Sequence, residues 1–386
     1  MKHVEVVVAG HLCLDVIPDI PYRLSLEPGK LNSVGKAGFA PGGGLANVGL
    51  SLARLGVNVG LMGKLGRDGF GQVLMGLLTE IVPGAAETLK ISDDQGTSYT
   101  LVISSPGVDR IFLHHPGCND AFEVKDIDLE LAGQGSIFYF GYPPLMRAFY
   151  LDGGIGLAER FEALRARGVT TVLDMALPDP ESPAGKVDWR AFLARVLPHV
   201  DLFTPSLEEM LFMLEREVFD AGLWREHVAP GALEAGLATE LLSMGPAAVV
   251  LTLGERGLYL RTAGHERLVE TALASQHWAR RELWAPIFVV DVEGTTGAGD
   301  AATAGLITGL LNDYPPERAL TLAAAVGACC VEAADATSGI RSLADTLHRV
   351  EAGWVRAFDR SEVDNWRRLP SGAYRGPGDS GQPPVR

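Results

Sequence analysis

At 386 residues the chain has room for one large α/β domain or two ordinary ones, and its 47% hydrophobic and 21% charged residues suit a soluble globular protein with a sizeable core. A formal net charge of −15 speaks against a nucleic-acid partner, which needs a basic face. No stretch approaches the roughly 18 apolar residues of a membrane span, and four cysteines (Cys13, Cys118, Cys329, Cys330) make no disulfide framework in a chain this long, so a reducing, cytoplasmic setting is expected.

Residues 4–9 are a short β-branched run and read as a buried strand. Over 17–41 the chain changes character, with Pro18, Pro21 and Pro28 among several glycines and no helical period. A helix is predicted over 45–55, with Val48, Leu52 and Leu55 on one face and Gly56 as its stop. Residues 57–62 follow as a strand, and Asp68 caps a helix bearing Phe70, Val73, Leu74, Leu77 and Leu78. Residues 97–104 and 110–114 read as two strands joined by the hairpin signal Ser-Pro-Gly-Val-Asp. From Ser136 onward, strands at 137–140, 171–174, 201–204, 248–253 and 288–292 alternate with helical patterns. That succession implies a mostly parallel sheet covered by helices on both faces. The two β-rich pieces, 17–41 and 93–119, are expected to form a small separate sheet over the carboxyl ends of the main strands, where ligands bind in such folds. The Pro- and Gly-rich segment 370–386 reads as a disordered tail.

Between the strand predicted at 288–292 and a strong helical pattern over 301–311 lies Gly294-Thr295-Thr296-Gly297-Ala298-Gly299-Asp300. Glycines there let the backbone turn tightly and aim several N–H groups at one point, a cradle for phosphate at the positive end of a helix. An aspartate inside the cradle repels a passively held pyrophosphate, yet it can take the proton of a hydroxyl about to attack phosphorus. Taken alone, the same aspartate reads equally well as a helix cap. Gly297-x-Gly299-x-x-Ala302 also fits a dinucleotide fingerprint, but it lies late in the chain, with no strand and ribose-binding acid about 20 residues on. The sequence contains no Gly-x-x-x-x-Gly-Lys-Ser/Thr, which excludes a P-loop kinase.

Other constellations carry weaker signals. Thr252-Leu253-Gly254-Glu255-Arg256-Gly257 ends a strand in small residues that permit close approach of a flat base or a phosphate. Ser206 and Glu209, three apart at a helix start, form a capping box; the same carboxylate suits the water shell of a Mg²⁺. Asp15 just after the first strand, and Gly42, Gly43 and Asn47 at a helix start, place an acid and an amide beside bare backbone, which suits a polyhydroxylated ligand. His114 and His115 are adjacent on a strand and so face opposite sides, which favours a lid contact by one of them over a metal pair.

Together these motifs resemble the PfkB-type, ribokinase-like carbohydrate kinases over about residues 4–345. Thr295 to Asp300 with the helix after it is similar to the family's C-terminal signature, Gly42-Gly43 through Gly71 to its N-terminal one, and Arg110 to Asn119 to its lid strand and turn. The resemblance implies one Rossmann-like three-layer α/β domain over 1–369 with a β-sheet lid, and phosphoryl transfer from ATP with Mg²⁺ to a primary hydroxyl of a sugar. It assigns Asp300 as base, the backbone of Gly297, Ala298 and Gly299 as anion hole, and Asp15, Gly42, Gly43, Asn47 and Asn119 to the sugar. Ser206, Thr252, Gly254, Gly257 and Ala324 fall to the nucleotide, and Glu209 to the metal. Ser206 stands where the family usually has Asn, and Gly294 where many members have an Asp that serves a K⁺ site, so K⁺ dependence is in doubt. A nucleoside kinase of the same fold and a sugar-binding protein without turnover are the alternatives, and the lid edge is a natural surface for a homodimer.

Overall fold

The computed structural model describes residues 4–25, 27–106, 111–222, 229–269, 271–273, 275–363 and 365–381. In chain order the strands are β1 (Val6–Gly10), β2 (Cys13–Pro18), β3 (Ala37–Gly42), β4 (Val59–Met62), β5 (Lys64–Gly66), β6 (Lys90–Ser92), β7 (Tyr99–Ile103), β8 (Ile111–His115) and β9 (Ile137–Gly141). They continue as β10 (Thr170–Asp174), β11 (Leu202–Phe203), β12 (Ala248–Thr252), β13 (Leu258–Thr262), β14 (Glu282–Ala285), β15 (Glu362–Val363), β16 (Trp366–Arg368) and β17 (Tyr374–Arg375).

The β-branched and aromatic runs of β1, β9, β10 and β12 are buried because both faces of each strand are covered. Successive side chains point to opposite sides. Val6, Val8, Tyr139, Val172 and Val250 enter one core, while Val7, Phe138, Phe140, Leu173 and Val249 enter the other. The first core is closed by the helices Gly44–Arg54, Ala298–Leu311 and Pro316–Cys330, and the second by Ile155–Arg165, Trp189–Val196, Leu207–Leu214 and Ala232–Ser243. The main sheet runs β15-β16-β17-β14-β13-β12-β11-β10-β9-β1-β4. It is parallel from β4 to β12 and antiparallel from β12 to β15. The expected three-layer α/β fold and small second sheet are both present.

That second sheet, in the order β3-β2-β7-β8, is the lid. It begins at Cys13 rather than near 17, so Asp15 sits on a lid strand, paired with Ala40 and Thr100. The hairpin tip predicted between β7 and β8 lies largely outside the described residues. Asp68 caps its helix as expected, its side chain accepting from Gly71 N.

Two expectations fail. Residues 288–292 are not a strand: the chain leaves the sheet after Ala285, and Phe288 makes one isolated bridge to Arg356. Their β-branched side chains mislead because Val289 and Val292 are more than half exposed rather than packed in a ladder. Nor is the tail disordered throughout. Tyr374 is fully buried on β17 beside Trp284 of β14, and Asp379 is locked to Arg281 at 2.9 Å with both side chains buried. A Pro- and Gly-rich composition therefore conceals one aromatic anchor and one buried ion pair; residues 382–386 lie outside the described residues. Removing one partner of a buried pair leaves the other charge poorly compensated. Asp379→Ala is expected to cost about 3 kcal/mol of stability, read as a lower urea midpoint; a midpoint equal to wild type would show that the tail does not hold the sheet edge.

Candidate active site

The parallel strands end on one side of the sheet, and the loops there supply the chemistry. Tyr142 follows β9, Asp174 ends β10, Ser206 and Glu209 follow β11, and Thr252 ends β12. Opposite them, the loop after β14 reaches the helix Ala298–Leu311 through Gly297, whose φ of 76° lies in the left-handed region that favours glycine. A Cβ at Gly297 would also stand 2.5 Å from that of Ala336. The helix thus starts three residues earlier than the sequence predicts. Asp300 lies in its first turn, where backbone N–H groups lack intrahelical acceptors.

This placement separates the two readings of Asp300. A cap carboxylate accepts from the helix's own N–H groups, and this helix has no side-chain cap bond. Instead, Asp300 Oδ2 accepts from Asn47 Nδ2 at 2.9 Å and from the Tyr142 hydroxyl at 2.7 Å. Oδ1 is buried and has no protein partner. Burial pushes the Asp300 carboxyl up to about 6, against the lowering effect of the Tyr142 and Asn47 hydrogen bonds. A carboxylate with one oxygen fixed and the other open is arranged to receive a proton.

Two adjoining cavities meet at the helix start. The larger, about 460 Å³, is mostly apolar; Leu253, Gly254, Gly257, Phe288, Val290 and Ala324 are among its lining residues. The smaller, about 210 Å³, is polar and contains Tyr142, Asp174, Glu209, Gly297 and Asp300. Ser206, Thr252, Thr295, Ala298 and Gly299 border both. The capping box forms: Ser206 N donates to Glu209 Oε2 at 2.8 Å, and Glu209 N to Ser206 Oγ at 3.2 Å. Glu209 nevertheless borders the polar cavity, and burial raises its carboxyl to about 7. Asp174 lies well above the usual carboxylate range, through burial first and then through the charges of Asp300 and Glu209. Asp174, Glu209 and Asp300 border the same cavity, and the charge of Asp300 raises the carboxyls of the other two.

On the lid side, Asp15 is half-buried against bare backbone, and a Cβ on Gly42 would come within 2.5 Å of its carboxylate. Gly43 has a φ of 85°, with its Cα packed on His11. Asn47, whose Nδ2 donates to Asp300, keeps its own Oδ1 buried and unpartnered. Asn119 does not belong to this group. It is fully buried, its Oδ1 accepting from Leu12 N at 3.1 Å and its Nδ2 donating to Leu12 O at 2.9 Å, so it braces the lid turn rather than facing a ligand. His114 makes the expected lid contact, its Nε2 lying 3.3 Å from that of His11. At Gly294 a Cβ would lie 3.0 Å from the carbonyls of Ala333 and Ala334, and glycine offers no carboxylate to a cation.

Sequence reasoning missed Tyr142 and Asp174. Both stand directly at the carboxyl ends of buried parallel strands, the one positional signal that could have found them. Tyr142 has a φ of 66°, rare for a residue with a side chain, and its ring fills the space beside Gly44, where a Cβ would come within 3.0 Å of it.

A buried carboxylate with one unpartnered oxygen thus lines a polar pocket at a helix start, beside an apolar slot, an arrangement that suits a phosphotransferase acting on an alcohol. Residues 4–343 match the pfkB family of carbohydrate kinases, and the chain belongs to that family of sugar kinases. It is 25% identical over 313 residues to the probable fructokinase-3 of Arabidopsis thaliana, covering 79% of this chain and 77% of that protein. Its fold is that of the Arabidopsis thaliana ribokinase complexed with ribose and ATP (TM-score 0.67, 19% identity, 90% and 98% of the two chains). It also matches a putative ribokinase II from E. coli in complex with ATP and Mg²⁺ (TM-score 0.68, 19% identity, 90% and 99%).

The Tyr142 hydrogen bond favours the ionised form of Asp300, so removing it raises the carboxyl further. In Tyr142→Phe the acidic limb of the kcat/KM profile is expected to move up by about one pH unit, given the worth of a bond to a charged group. An unshifted limb would show that Tyr142 does not tune the base.

Proposed function

We propose that the chain transfers the γ-phosphoryl group of ATP to a primary hydroxyl of a neutral sugar, with Asp300 Oδ1 as the base. The carrying observation is that this oxygen is buried and unpartnered on a residue that lines the polar cavity, next to Ala298 and Gly299, which border both cavities. The apolar cavity suits the adenine and ribose, between Gly254 and Gly257 on one side and Ala324 on the other. Ser206 and Thr252 stand at the passage through which the phosphates reach the helix start. The backbone of Gly297, Ala298 and Gly299 then stabilises the charge that grows in transfer.

Asp15, Gly42, Gly43 and Asn47 receive the sugar, and the unpartnered Asn47 Oδ1 offers an acceptor to one of its hydroxyls. An acid at Asp15 and an amide at Asn47, beside the bare backbone of Gly42 and Gly43, support a neutral polyhydroxylated acceptor over a sugar acid. The oxygen donors of Glu209 and Asp174 fit Mg²⁺, a cation that prefers oxygen and keeps much of its water. Bound there with ATP, Mg²⁺ supplies neutralising charge to the phosphates. K⁺ has no part in this proposal, since Gly294 brings no ligand. A second copy of the chain on the lid is supported by the exposed side chains of Phe39, Ile111 and Leu113.

The experiment is phosphorylation of fructose, ribose and adenosine with Mg²⁺–ATP, followed by mass spectrometry, in wild type and Asp300→Asn. A sugar phosphate is expected from wild type, at a rate about 10²–10⁴-fold lower in the variant. Near wild-type turnover by Asp300→Asn would remove the base assignment, and turnover of adenosine alone would replace the sugar with a nucleoside.

A further inference from the structure

One cluster of metal-ligating side chains has no part in that chemistry. His11, just after β1, Cys13 at the start of β2 and His114 on β8 each bring one ligand atom to a group lying within 4.8 Å of one another. His11 and Cys13 are buried, and His114 is exposed. The two Nε2 atoms are 3.3 Å apart. Tetrahedral zinc with Zn–N bonds of about 2.0–2.1 Å places neighbouring nitrogens about 3.3 Å apart. We propose that His11, Cys13 and His114 form a site for a zinc-type transition-metal ion that ties the lid to the end of β1.

The surroundings support the ligand set. His114 Nδ1 lies 3.0 Å from the Thr100 hydroxyl, directly across the β7–β8 ladder, which leaves Nε2 facing His11. A partner on the second ring nitrogen is the usual way a ligating histidine is oriented. The Cys13 thiol is held by the same hydroxyl at 3.6 Å and by Asp15 Oδ1 at 3.4 Å. Two imidazoles and a thiol select zinc over magnesium, which keeps to oxygen. On binding, sulfur coordinates as thiolate and its proton leaves to solvent. Three protein ligands leave the fourth tetrahedral position to water on the exposed His114 side, which is also the path of entry.

The proposal is independent of turnover, and its test is read without nucleotide or sugar. Reduced full-length protein is titrated with Zn²⁺ by calorimetry, and the zinc environment is read by X-ray absorption. One equivalent is expected, with both nitrogen and sulfur neighbours. Affinity should fall roughly tenfold or more in His114→Ala and in Cys13→Ser, and about 10–100-fold in Thr100→Val, which leaves all three ligands in place. Asp300→Asn should bind Zn²⁺ as wild type does, so failure of the kinase reading and failure of the metal site are told apart. Lack of saturable uptake, absence of sulfur, or unchanged affinity in His114→Ala and Cys13→Ser would overturn the site and leave His11 and His114 as a plain hydrogen-bonded pair.

Discussion

A carboxylate held out of water is the constraint on which the rest of this molecule depends. Asp300 costs stability where it stands, because burial disfavours its charged form. Two hydrogen bonds from distant parts of the chain, Asn47 and Tyr142, offset that cost at one oxygen only. The other oxygen has no protein partner, which is what the proposed role as base asks of it. Holding this geometry requires the Gly297 turn, the close seat of helix Ala298–Leu311 against helix Pro316–Cys330, and the left-handed backbone of Tyr142. Strain and desolvation collect at the same few residues, as they do where chemistry is done.

The parallel sheet explains why those residues meet. Each βα unit returns the chain to the same edge, so residues from four strand ends, the helix Gly44–Arg54 and the Gly297 turn converge although they are spread over 250 positions or more: Asn47 and Asp300 are 253 apart. The antiparallel strands beyond β12 do different work. They extend the sheet past the apolar cavity, and the loop leaving β14 gives that cavity Ile287, Phe288, Val290 and Val292. The C-terminal strands then lock this edge through Tyr374 and the Arg281–Asp379 pair.

Much of this was legible in the sequence where a local pattern has a local cause. The buried strands show as β-branched runs, Asp68 and Ser206 announce their helices, and the Gly-rich turn places Asp300 before any contact is known. What escaped depends on partners far along the chain. Nothing near Tyr142 shows that its hydroxyl reaches Asp300, 158 residues away. Asn119 looks like a ligand contact until its amide is found spent on Leu12. Val290 and Val292 carry strand propensity, yet they line a cavity instead of pairing in a sheet, because propensity yields to tertiary context. Composition hid the tail in the same way: one Tyr and one Asp order it, and neither stands out among the prolines and glycines.

In the proposed mechanism Asp300 Oδ1 is open because a substrate hydroxyl belongs there. A crystal structure with fructose and a non-hydrolysable ATP analogue tests it most directly. A primary hydroxyl oxygen is expected within about 2.6–3.2 Å of Oδ1, with Asn47 and Tyr142 still on Oδ2 and the terminal phosphate at the Gly297–Gly299 turn. A bound sugar whose hydroxyls all point away from Asp300, or a carboxylate turned to cap its own helix, would contradict it.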